Sequence, residues 1–174
     1  MSLESLKNSL RTVPDFPIKG ILFWDITTML KDPDCLRELA DRLYELYKDK
    51  GITKVVGMES RGYIMGPALA IRLGAGFVMA RKPGKLPAET YREDFKKEYG
   101  TDALEIHTDA ITEDDVVLVH DDLLATGGTT AAVVRLVGRF HPKAVYANFL
   151  IELKDLDGRK VFGPNVPVTS ILQL

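Results

Sequence analysis

The sequence predicts an open, mostly parallel α/β sheet flanked by helices on both faces, with a small N-terminal flap and a mobile charged loop. Three observations carry this. The runs Val55-Val56-Gly57-Met58 and Val116-Val117-Leu118-Val119 are short, continuous and largely β-branched, as strands buried on both faces are. Each is followed by a polar turn with glycine and then by an apolar stretch of helical length. Proline and glycine mark turns between these segments, and no internal repeat or long linker appears, so the 174 residues are expected to form one domain, 1–174.

In chain order, Phe16, Leu22 and Phe23 interleave with turn residues, which places residues 1–30 as a flap and not as a core strand. A helix is expected after Asp32, a suitable N-cap with Pro33 at the first helical position. It carries Leu36, Leu39, Ala40, Leu43, Leu46 and Tyr47 on one face and stops at Gly51. The strand at Val55 leads through Gly62 into a helix from Tyr63 to Leu73, closed by Gly74. Phe77 to Ala80 reads as a further strand. The strand at Val116 leads through a polar loop into a helix from Thr129 to Phe140, and Ala144 to Ile151 reads as another buried strand. Between them, residues 83–100 read as a flexible basic cover, because Arg81, Lys82, Lys85, Arg92, Lys96 and Lys97 outnumber Glu89, Glu93, Asp94 and Glu98 from Arg81 onward. In such a sheet, ligands sit beyond the carboxyl ends of the strands, so functional residues are expected just after them.

Composition excludes several classes. Lys and Arg number 23 against 25 Asp and Glu, a net charge of -2, which offers no general surface for a nucleic acid. The longest stretch without a charge, Val161 to Leu174, is broken by Gly163, Pro164, Asn165 and Pro167 and cannot span a bilayer. No signal peptide is read at the N-terminus, where Glu4, Lys7 and Arg11 interrupt the apolar residues. The single cysteine, Cys35, closes no intrachain disulfide and reads as a small buried hydrophobe, so a cytoplasmic location is expected.

The most informative stretch follows Val119 and His120: Asp121-Asp122-Leu123-Leu124-Ala125-Thr126-Gly127-Gly128-Thr129-Thr130. Small residues and paired glycines let backbone N–H groups converge at a helix N-terminus, where the helix dipole favours an anion and threonine hydroxyls add donors. A phosphate is the implied ligand. A Walker A loop would need Lys directly after the last Gly, where Thr129 stands. A dinucleotide fingerprint would carry its acid about 20 residues beyond the glycines, whereas this pair precedes them. Carboxylates so close to a phosphate cradle accept hydrogen bonds from hydroxyls or hold a hydrated cation. The 2- and 3-hydroxyls of a ribose 5-phosphate have that geometry.

VVLVHDDLLATGGTT resembles the phosphoribosyl pyrophosphate signature of the type I phosphoribosyltransferases and is most similar to that of their adenine-using members. Pro14-Asp15-Phe16-Pro17 through Thr27, Glu59-Ser60-Arg61-Gly62, Arg81 to Pro87 and Glu98-Tyr99-Gly100 follow in the family's order, so the resemblance covers nearly the whole chain. It implies transfer of a phosphoribosyl group from 5-phosphoribosyl 1-pyrophosphate to adenine, with Mg²⁺ as cofactor, in a homodimer that binds neither nucleic acid nor membrane.

By the same resemblance, Asp121 and Asp122 face the ribose hydroxyls, and Ala125, Thr126, Gly127, Gly128 and Thr129 wrap the 5-phosphate. Glu59, Ser60, Arg61, Arg81 and Lys85 form the pyrophosphate side, where the planar fork of Arg61 suits two phosphate oxygens. Residues around Leu22 and Trp24 recognise the purine edge through the backbone, while Phe23 and Leu123 sandwich its faces. Glu98 manages the protons of adenine, Tyr99 positions it, and Arg61 stabilises the departing anion. No direct protein ligand to Mg²⁺ is assigned, Asp121 and Asp122 being candidates through water. Two departures stand out: Trp24 occupies a position where many relatives carry arginine, and His120 one where an apolar residue is commoner. His120 is read as structural.

Alternatives remain at this level. The acceptor base could be hypoxanthine, guanine, xanthine or orotate, because the signature reports the sugar donor. The fold also serves non-catalytic regulators that sense phosphoribosyl pyrophosphate, but no stretch here reads as an added DNA-binding domain.

Overall fold

In the computed structural model, residues 1–96 and 100–174 are described. They form two compact units, Met1–Leu43 and Tyr44–Leu174. The first holds α1 (Leu3–Asn8), an antiparallel ribbon of β1 (Arg11–Pro14) and β2 (Leu22–Asp25), and the single turn α2 (Thr27–Leu30). Arg11 Nε donates to Asp25 Oδ2 at 2.9 Å across the ribbon. The Asp25 carboxyl also accepts from the Thr27 N–H and is held down at about 2, chiefly by that backbone bond.

The helix α3 (Pro33–Tyr47) begins where Asp32 caps it, with Asp32 Oδ1 accepting from the N–H groups of Asp34 and Cys35. Its buried row is Cys35, Leu39, Leu43 and Tyr47, a strict i, i+4 ladder. Leu36 and Leu46, expected on the buried face, lie off this row and are more than a third exposed.

The second unit is built on five parallel strands in the order β4-β3-β7-β8-β9: β3 (Lys54–Met58), β4 (Gly76–Ala80), β7 (Val116–Leu124), β8 (Ala144–Glu152) and β9 (Val168–Gln173). The helix α4 (Gly62–Leu73) joins β3 to β4 and closes on Gly74 in the left-handed region. The helix α5 (Gly128–Gly138) joins β7 to β8. Strand alternation puts the two helices on opposite faces. Val56, Met58, Val117 and Val119 pack with Ala132, Val133, Leu136 and Val137 of α5. Gly57 points the other way, where it and Gly66 of α4 close on the Phe77 ring.

Three features were not legible in the sequence. Within the segment expected as a loop, β5 (Thr90–Lys96) pairs antiparallel with β6 (Thr101–His107). Its charged side chains mask the alternation that buries Phe95. The edge strand β9 follows Pro167, in a stretch where the sequence predicts no element. Finally, β7 continues past His120 to Leu124, because Leu123 and Leu124 extend the ladder to Ile151 and Glu152 of β8. His120 is therefore an interior strand residue. It is fully buried, its Nδ1 lies 3.0 Å from Asn148 Oδ1, and burial pushes its pKa down to about 4. Asn148 Nδ2 donates to Thr169 Oγ1, which pairs with the Tyr47 hydroxyl at 2.6 Å. Among the described residues, no helix is long and apolar enough to cross a membrane.

Candidate functional site

The chain leaves β3 toward one sheet edge, through α4 to β4, and later returns on the other side of β3 as β7. Connections diverge at this switch point, and the opening lies beyond the carboxyl ends of β3 and β7. A cleft of about 230 Å³ occupies it, lined by Glu59 and Arg61 from one strand end and by Asp121, Asp122, Leu123 and the Ala125–Thr130 segment from the other.

The glycine loop spans 125–127, between the end of β7 and the start of α5. Gly127 adopts φ +80°, in the left-handed region that glycine enters without strain. It is the N-cap of α5, and no side chain caps the helix. The first-turn N–H groups therefore have no intrahelical or side-chain acceptor and carry the positive end of the dipole. Thr126 is exposed and Thr129 half-buried at the cleft, whereas Thr130 is buried. A loop of this kind takes an anion of phosphate size.

The acid pair precedes it. The Asp122 N–H donates to Asp121 Oδ1 at 2.9 Å, and Asp122 Oδ2 lies 2.7 Å from Arg61 Nε. Burial, and then the neighbouring Asp122 charge, push the Asp121 carboxyl well above the ordinary carboxylate range. One arginine beside two carboxylates leaves the second acid short of positive charge, and a hydroxyl donor or a cation would relieve it. Arg61 can approach because residue 62 is glycine: a Cβ there would sit 2.7 Å from the His120 carbonyl oxygen.

Glu59, expected on the pyrophosphate side, holds the segment that carries Arg81. Its Oε2 accepts from the Lys82 N–H at 2.9 Å and lies 3.4 Å from Arg81 Nε, and these partners, the Lys82 N–H first, hold its carboxyl low. Through this carboxylate Arg81 is tied to a residue that lines the cleft. Arg81 in turn donates from Nη1 to the Lys85 carbonyl at 3.2 Å, so the segments 59–61 and 81–85 are linked. The Glu59–Ser60 peptide is cis, and Ser60 is exposed beside Arg61.

Leu123 lines the cleft, half-buried. The other three residues expected at the base, Leu22, Phe23 and Trp24, belong to β2 in the first unit, opposite Pro14, Val13 and Thr12. There Phe23 meets Phe16 edge-on at 5.0 Å, and Leu22 is half exposed. Glu98 and Tyr99 lie outside the described residues. Among the described residues, no group of three or more His, Cys, Asp or Glu is placed to hold a metal ion. Two carboxylates beside a phosphate loop do fit Mg²⁺ in its usual manner, in which substrate phosphates and water complete the shell. Sequence reasoning missed the turn Gly158–Val161, which packs behind the glycine loop. The Asp157-Gly158 pair was the one signal that could have pointed to a turn there.

The phosphoribosyl transferase domain family matches residues 26–162. The adenine phosphoribosyltransferase of Phocaeicola vulgatus is 66% identical over 174 residues, the whole of both chains. That of Bacteroides thetaiotaomicron is 64% identical, over all of this chain and 99% of its own. Among solved structures, the adenine phosphoribosyltransferase of Rhodothermus marinus superposes with a TM-score of 0.93 at 53% identity, covering 99% of this chain and 98% of that one. The Saccharomyces cerevisiae enzyme, complexed with an imino-altritol bisphosphate and adenine, superposes at 0.91 with 40% identity, covering 98% of each chain.

Proposed function

This chain belongs to the phosphoribosyl transferase family, and from that premise we propose that it makes AMP and pyrophosphate from adenine and 5-phosphoribosyl 1-pyrophosphate. The observation that carries the reading is one cleft that holds an acid pair, a glycine loop at a helix N-terminus and Arg61 facing them. The names of relatives above 60% identity over the full chain support adenine as the acceptor.

In the reaction, adenine N9 bonds to C1 of the ribose while the bond from C1 to the pyrophosphate oxygen breaks. The electron pair leaves with that oxygen, the anomeric carbon inverts, and the N9 proton is given up. The loop 125–127 and the first residues of α5, Gly128 and Thr129, hold the 5-phosphate, and Asp121 and Asp122 accept from the ribose hydroxyls. Binding the diol lets Arg61 exchange its Asp122 contact for the departing anion, so its charge is used where negative charge develops. Arg81 and Lys85, on the segment tied to Glu59, face the same anion. Leu123 covers one side of the base. Glu98 takes the proton of adenine and Tyr99 positions it.

Mg²⁺ bound to the pyrophosphate, with Asp121 and Asp122 reached through water, would neutralise leaving-group charge. The working form is a cytoplasmic homodimer, a reading that rests on the family alone.

The experiment is formation of AMP and pyrophosphate from the two substrates, with and without Mg²⁺, and with hypoxanthine, guanine, xanthine and orotate as competitors. Product formed only with adenine and only with the cation is expected. Turnover of another base at a comparable rate overturns the assignment of the acceptor.

A further inference from the structure

The glycine loop has a back wall as well as a mouth. A Cβ on Gly158 would fall 2.2 Å from the Ala125 carbonyl oxygen and 2.9 Å from Leu124 Cδ1. A Cβ on Gly127 would fall 2.5 Å from the Gly158 carbonyl oxygen and 2.7 Å from Val161 Cγ2. Two backbones are in contact here with no side chain between them. Any retreat of the loop must displace the turn Gly158–Val161.

That turn is anchored by one side chain. Arg159 donates from Nε to Glu152 Oε1 and from Nη2 to Glu152 Oε2, both at 2.6 Å, a bidentate fork. Its Nη1 donates to the Val168 carbonyl at 2.8 Å, and Nη2 reaches Ser170 Oγ at 3.2 Å. Ser170 and Gln173 donate to the same Glu152 carboxylate, which is 5% exposed. Glu152 ends β8 directly opposite Leu124, the last residue of β7 before the loop, and the Leu153 N–H donates to the Leu124 carbonyl. Beneath the turn, Phe162, Val166 and Val168 pack on Leu124, Ala147 and Phe149. Arg159 thus ties the turn to two strands of the sheet.

We propose that Arg159, locked by Glu152, is a positioning residue for the 5-phosphate site: it holds the turn 158–161 against the loop 125–127 and so fixes where the loop's N–H donors point. The inference rests on the reading of that loop as the phosphate cradle. Arg159 does not line the cleft. Its effect is on the geometry of donors that do, and a displacement of an ångström at such donors is enough to weaken an oriented anion site.

The test measures kcat and both KM values of the full-length protein, with thermal midpoints, for wild type, Arg159→Lys and Thr129→Val. Lysine keeps the charge and loses the fork. Arg159→Lys is expected to raise KM for phosphoribosyl pyrophosphate about 10-fold while KM for adenine stays within about twofold. If Arg159→Lys does not accumulate, Glu152→Gln carries the same expectation, since it keeps the shape of the partner and removes its charge. Thr129→Val, in the first turn of α5 at the cleft, should raise the same KM. A rise with Thr129→Val but none with Arg159→Lys overturns the positioning role alone. No rise with Thr129→Val overturns the phosphate reading and this inference with it. A lower thermal midpoint with both KM values unchanged means that Arg159 only stabilises the fold, which also overturns the proposal.

Discussion

Arg61 and Asp122, from the ends of two different strands, form an ion pair with Nε 2.7 Å from Oδ2 at the mouth of the cleft. The guanidinium side chain is nearly half exposed and the carboxylate is buried. The pair therefore spans the boundary between solvent and the sheet, and a polyanion arriving from solvent meets the exposed partner first. A bound diol would replace Arg61 as the hydrogen-bond donor to the carboxylate and release the arginine to the leaving group.

Replacing both acids, Asp121→Asn with Asp122→Asn, should weaken binding of phosphoribosyl pyrophosphate by about 10-fold or more, the range for lost hydrogen bonds to charged groups. Binding of adenine should change less. Isothermal titration with each ligand measures both, and equal losses would contradict the assignment of the pair to the ribose.

Glu98→Gln should lower kcat by ~10²-fold, as loss of a general acid-base group does, with an unchanged unfolding midpoint. Steady-state kinetics beside thermal denaturation separates the two effects. Turnover at the wild-type rate would remove Glu98 from the reaction.

Gly62→Ala places a Cβ 2.7 Å from the His120 carbonyl oxygen, which is backbone and cannot swing away. The start of α4 must move off β7, carrying Arg61 with it. A stability loss of about 2 kcal/mol is expected in urea unfolding, as for other overpacked sites. A fall in kcat/KM for phosphoribosyl pyrophosphate should accompany it. Full activity in a stable variant would show that the close approach of α4 is not needed.

The buried His120 makes stability depend on pH in a defined window. Its folded pKa is depressed to about 4 from 6.5, so the unfolded chain binds a proton first as pH falls. The stability it contributes is whole above pH 6.5 and is lost as pH falls through 4, about 3 kcal/mol in all. The raised Asp121 carboxyl acts in the opposite sense across the whole of this window, but it is common to wild type and variant. Asp25, depressed from 3.8 to about 2, acts only at lower pH. Urea unfolding of wild type and His120→Gln between pH 7 and 4 should therefore give a smaller loss in the variant. Parallel curves would show that His120 is not the group that titrates.

The sequence by itself determined the parallel α/β class, the helix that starts at Pro33, the left-handed stop at Gly74 and the glycine loop ahead of α5. Each is written in neighbouring residues, as a period, a cap or a turn dipeptide. It did not reveal β5, whose charged side chains hide the alternation, or β9, an edge strand entered from a proline. Nor could it show that Glu59 works by gripping the Arg81-Lys82 segment, or that Arg159 and Glu152 stand behind the phosphate loop. Those relationships join residues from separate strand ends, and no local spacing encodes them. Only the parallel register of β3, β7, β8 and β9 brings these ends to one side of the sheet. There, burial and charge give Asp122, Glu59 and Glu152 partners that their neighbours in sequence do not supply.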